Sequence, residues 1–92
     1  MAAISVAHLE GTTYRVTVSE RDGQTTHEVV VTSETLGRYA PAGTAPERLV
    51  HASFEFLLAR ESKESILYRF DLAVIERYFP DYRRDIRRAL GL

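Results

Sequence analysis

Ninety-two residues, 45% hydrophobic and 27% charged, describe one ordinary globular domain spanning residues 1–92 and exclude a disordered chain. The absence of cysteine excludes a disulfide framework and a thiolate metal site, and a net charge of −1 argues against a strong polyanion binder. No apolar run reaches the ~18–20 residues that span a bilayer, and the opening Met1-Ala2-Ala3-Ile4-Ser5 lacks a signal-peptide pattern, so no membrane partner and a cytoplasmic location are expected.

Charge is unevenly spread. Residues 1–59 carry four arginines against seven acids, and residues 60–92 carry eight basic residues against six acids. Lys63 is the single lysine among twelve basic residues, a bias that fits a GC-rich genome more readily than eleven selected guanidiniums.

The N-terminal third reads as strand. Ile4, Val6 and His8 alternate with Ala3, Ser5 and Ala7, as a third strand or as a continuation of the next one past a bulge at Gly11. Residues 12–20 place Tyr14, Val16 and Val18 on one face, and residues 25–32 place His27, Val29 and Val31 on one face. Asp22-Gly23 between them predicts a type I′ turn. With Arg21 opposite Gln24, Val18 faces His27, Val16 faces Val29 and Tyr14 faces Val31, so one register puts both apolar sets together.

The period then lengthens. Thr32-Ser33-Glu34 starts a short helix with Leu36 and Tyr39 inward. Thr44-Ala45-Pro46-Glu47 has the capping-box pattern, which predicts a central helix to about Arg60 with Leu49, Val50, Phe54, Leu57 and Leu58 on its apolar face. Ser62 heads a further helix burying Ile66, Leu67 and Phe70, and Asp71 heads another through Phe79. After Pro80 a last helix, 81–90, buries Tyr82 and Ile86 and ends at Gly91. The expected fold is therefore α+β: an N-terminal antiparallel β-hairpin or three-stranded meander followed by about four helices packed on one face.

Chemistry-bearing patterns are sparse. There is no Gly-x-Ser-x-Gly elbow, no Walker loop and no dinucleotide glycine pattern, and no cofactor is expected. A helix-turn-helix around Asp71 fits poorly, because Arg77 stands where an apolar residue points inward. His51 and Glu55 lie one helical turn apart and are weak metal candidates together with His27. Arg83, Arg84, Arg87 and Arg88 line one side of the last helix, where arginines suit phosphate contact, although Asp81 and Asp85 interrupt the stripe. Tyr68, Phe70, Tyr78, Phe79 and Tyr82 crowd five of nine aromatics into fifteen residues. Aromatics at this spacing fill cores first, but aromatics and arginine also mark protein interfaces.

Three functions follow in order. The first is a non-enzymatic interaction or regulatory domain working as a homodimer, with Tyr78, Phe79 and Tyr82 at the interface and another protein or a second copy as partner. The second is a weak nucleic-acid binder using the four C-terminal arginines. The third is a small ligand-binding protein or enzyme with a pocket near His27, His51 and Glu55.

Overall fold

The computed structural model describes residues 2–92. Three antiparallel strands, β1 (Ala3–Glu10), β2 (Thr13–Glu20) and β3 (Gly23–Val30), form a meander. Helices α1 (Ser33–Tyr39) and α2 (Pro46–Leu58) follow, then a single 3₁₀ turn at Lys63–Ser65. The short strand β4 (Arg69–Asp71) joins β3 in parallel, and α3 (Val74–Tyr78) and α4 (Tyr82–Ala89) complete the chain. The sheet runs β1-β2-β3-β4, a mixed sheet rather than a bare hairpin or meander, within an α+β fold.

The meander rests on alternation. Tyr14, Val16 and Val18 from β2, with His27 and Val29 from β3, turn one face into the core. Residues 3–9 belong to a separate strand, turned by Gly11 at φ +52° and kinked by a bulge between His8 and Glu10. The β2–β3 faces are those expected, but the register is two residues away: Val16 pairs with His27, Tyr14 with Val29 and Glu20 with Gly23. A type I′ turn needs positive φ at Asp22. Here the loop is Arg21-Asp22, and the positive φ falls on Gly23 at +139°. A shift of two preserves the faces, so alternation alone does not detect it.

Thr32 caps α1 as expected, its Oγ1 accepting from the Thr35 N–H at 3.1 Å. The capping box of α2 does not form. Ala45 is the N-cap, with φ −68° and ψ 139°, and Pro46 is the first helical residue. The residue before a proline is disfavoured in helical geometry, so the helix starts one residue later than the Thr44/Glu47 pattern requires. Leu49, Val50, Ser53, Phe54, Phe56 and Leu57 form the buried face of α2, which meets Tyr82, Ile86 and Leu90 from the C-terminal end.

The expected helix after Ser62 is replaced by the 3₁₀ turn and β4. Ile66 is already extended, and Phe70 and Leu72 are buried while Arg69 and Asp71 are exposed, which is a strand period. The outer edge of β3 supplies the partners: Glu28 N–H donates to the Tyr68 carbonyl at 2.8 Å, and Leu72 N–H donates to the Val30 carbonyl at 3.0 Å. Helical spacing of 66, 67 and 70 hid that alternation. No described helix is long and apolar enough to cross a membrane.

Candidate interaction surface

The segment that became β4 also builds a groove. One wall is Leu57 at the end of α2 with Glu61 just after it, another is Ser65, Ile66, Leu67 and Phe70, and the third is α3 with Val74, Ile75 and Tyr78, closed by Phe79. The cavity measures about 390 Å³, within the range of small ligand pockets and apolar anchor sites. Its floor of Leu57, Ile66, Phe70 and Ile75 belongs to the core, whereas Leu67 is 51% exposed and Tyr78 69% exposed at the rim. Eight of its ten lining residues are apolar or aromatic, so water gains little from filling it and an apolar side chain gains much. Tyr68, also exposed, lies beside the rim residue Leu67 in the chain.

The rim is held from below. His27, buried in β3, donates from Nδ1 to the Leu67 carbonyl at 2.9 Å, because a carbonyl can only accept. The other ring nitrogen, Nε2, is then free to accept from Thr25 Oγ1 at 2.8 Å. The imidazole packs on Phe54, with ring centroids 5.4 Å apart.

The three residues expected at an interface separate here. Tyr78 is on the groove rim, and Phe79 is half-buried edge-on to Phe56 at 5.8 Å. Tyr82 is a core residue, fully buried between Tyr39 and Phe56 at 4.9 and 5.2 Å, and is therefore not available to a partner in the folded chain. Its hydroxyl lies 2.6 Å from Ser53 Oγ, which donates to the Leu49 carbonyl at 2.7 Å, so Tyr82 is the donor of that pair. Burial pushes the Tyr82 hydroxyl well above its ordinary pKa. The Tyr39 hydroxyl is raised as well, first by burial and then by donating to the Glu76 carboxylate.

Of the arginine stripe on α4, Arg84 is engaged by Asp85 at 3.0 Å and by Asp81 at 3.6 Å, and Arg87 donates to the Arg38 carbonyl at 3.0 Å. Arg83 and Arg88 are exposed. The Arg60 guanidinium stands over Phe56, 3.6 Å from the ring centroid, and reaches the second oxygen of Asp85 at 3.2 Å, so that carboxylate is shared between Arg60 and Arg84.

His51 and Glu55 do face each other on α2, 3.4 Å apart and exposed. His27 does not join them, since it is buried with both ring nitrogens already engaged. Among the described residues no three His, Cys, Asp or Glu side chains converge to hold a metal ion.

Lys63 has a structural role that composition does not reveal. Its amino group lies 2.8 Å from Glu20, 3.0 Å from Asp22 and 2.8 Å from Glu64, tying the 3₁₀ turn to the β2–β3 turn. Comparisons of the chain with protein-family models, with curated proteins and with solved structures found no match.

Proposed function

We propose that this chain is a non-enzymatic interaction domain that docks an apolar segment of another protein in the groove between α2 and α3, and that it works as a homodimer. The observation that carries the docking reading is the placement of Leu67 and Tyr78, more than half exposed, on the rim of an apolar cavity of about 390 Å³. Large exposed apolar groups around a preformed cavity favour an apolar anchor from a partner, and tyrosine is enriched at such centres. Thermodynamic support comes from the floor: it is already ordered as core, so docking need not order it again.

The arginine stripe supports nucleic-acid binding less well. Arg84 and Arg87 are committed within the chain, which leaves Arg83 and Arg88 as a narrow phosphate footprint.

Selection of a displayed peptide library on the wild-type protein, repeated on Leu67→Asp and on Tyr78→Ser, tests the docking reading. The expected outcome is enrichment of peptides with one or two large apolar anchors, lost on both variants. Peptides that bind the variants equally well, or no enrichment at all, would overturn it.

A further inference from the structure

We propose that the homodimer is joined through β1, pairing antiparallel with β1 of a second copy so that two four-stranded sheets become one continuous sheet. This rests on the homodimer reading above and adds where the seam lies.

The argument starts from hydrogen-bond parity. Val31 N–H donates to the Thr12 carbonyl at 2.8 Å, so Thr12 and its alternates Tyr14, Val16 and Val18 direct their backbone groups at β3. Thr13, Arg15, Thr17 and Ser19 therefore face β1, where the residues opposite the last three are Ala7, Ser5 and Ala3. The remaining residues Ile4, Val6 and His8 turn their N–H and C=O groups away from β2. Among the described residues no strand pairs with that side of β1.

Free edges are normally blunted by charge, proline or brevity. The other edge obeys the rule: β4 has three residues, of which Arg69 and Asp71 are charged. β1 has eight residues, and from Ala2 to Leu9 the chain carries no Asp, Glu, Lys, Arg or Pro. In a sequence that is 27% charged, that stretch is the one an edge would be expected to defend.

The strand also matches itself. A two-fold axis at Val6 sets Val6 opposite Val6 of the second copy and Ile4 opposite its His8. Every outward N–H and C=O of these three residues then has a partner, and the bulge beyond His8 ends the ladder where the match ends. Glu10 falls opposite Ala2, so no like charges meet across the seam. An axis normal to the sheet keeps both helical layers on one side and sets core face beside core face.

Burial points the same way. Val16, Val18 and Val29 are fully buried, but Ile4 and Val6, on the same face one strand out, are only partly covered. A second copy would cover the side of these two residues that faces away from β2. On the opposite face the seam side chains are Ala3, Ser5 and Ala7, small enough not to obstruct approach.

Light scattering on size-exclusion fractions, with residue-resolved amide exchange, tests the proposal on the full chain. Twice the monomer mass is expected, with the amides of Ile4, Val6 and His8 protected as strongly as those inside the β1–β2 ladder. Val6→Pro should halve the mass and leave the far-ultraviolet circular dichroism unchanged, because the lost N–H points away from β2. If that variant does not fold, the double variant Ser5→Glu, Ala7→Glu, on the open face with like charges across the seam, is read in the same way. A wild-type monomer would overturn both this seam and the homodimer reading. A dimer with fast exchange at Ile4, Val6 and His8, or one that persists in the folded variants, overturns the seam alone.

Discussion

The imidazole of His27 donates to the carbonyl of Leu67, forty residues later, and this one bond ties the central strand β3 to the rim of the groove. Together with the Glu28 N–H bond to the Tyr68 carbonyl, it holds the chain between the 3₁₀ turn and β4. Replacing His27 with alanine leaves the Leu67 carbonyl without its partner, removes the ring from Phe54 and opens a void beneath the rim. A lost part-buried hydrogen bond and the cavity left by a buried ring together cost about 2–3 kcal/mol. Urea denaturation measures this directly. A change under about 1 kcal/mol would mean the rim does not depend on His27.

Lys63 ties the 3₁₀ turn to the β2–β3 turn, where β3 begins. It is 2% exposed because three carboxylates cover it at the surface, not because it enters the core; Asp22 and Glu64 are themselves largely exposed. Hydrogen bonds from Lys63 hold the Asp22 and Glu64 carboxyls below their ordinary values. Bonds to Glu20, Glu64 and Asp22 in turn raise the lysine. A carboxyl with a lowered folded pKa stabilises fully above its unfolded value, near pH 4, and loses that contribution as pH falls through the folded value. The raised lysine contributes below its ordinary value of about 10.5 and loses that only in stronger alkali. Stability should therefore be level around neutrality and fall below about pH 4. In Lys63→Met the acid-side loss should be smaller, because the carboxyls no longer titrate against a partner. Urea midpoints at pH 7 and pH 3 for both proteins check this; equal acid losses would refute it.

Ser53 and Tyr82 make a buried pair whose two truncations are unequal. Tyr82→Phe removes one donor and leaves Ser53 bonded to the Leu49 carbonyl, at a cost of about 1 kcal/mol. Ser53→Ala instead strands a fully buried hydroxyl, which costs about 1–3 kcal/mol. The double variant should then be no less stable than Ser53→Ala alone, since nothing polar is left unpaired. A double-mutant cycle by chemical denaturation reads the coupling. Purely additive costs would show that the pair does not act as a unit.

Much of the fold was legible because the core obeys local periodicity. The period-two faces of β2 and β3, the apolar stripe of α2 and the Tyr82/Ile86 stripe of α4 are all visible in the residues themselves. What was not legible depends on distant partners. β4 exists because β3 offers an open edge to a segment whose own spacing reads as helix. The groove follows from that switch, since Leu67 is on its rim rather than inside a helix face. Tyr82 and Tyr78 stand one helical turn apart in sequence, but Phe79 and Pro80 break the helix between them, so one ends in the core and the other on the rim. The helix α2 starts one residue later than its capping pattern predicts for a local reason, the proline after Ala45.

Two glycines separate the turn chemistry from the helix chemistry, and substituting each by alanine should move stability in opposite directions. Gly23 opens β3 at φ +139°, a conformation that L-residues rarely adopt. Gly23→Ala must either strain the backbone or rebuild the turn, a cost of about 1–3 kcal/mol. Gly37 lies inside α1, has no positive φ, and an added Cβ there meets nothing within 4 Å. Alanine at that position lowers the entropy lost on folding and should stabilise by about 0.4–1 kcal/mol. Thermal melting of the two variants beside the wild type gives both signs in one experiment. If Gly23→Ala melts with the wild type, the β2–β3 turn tolerates other geometries.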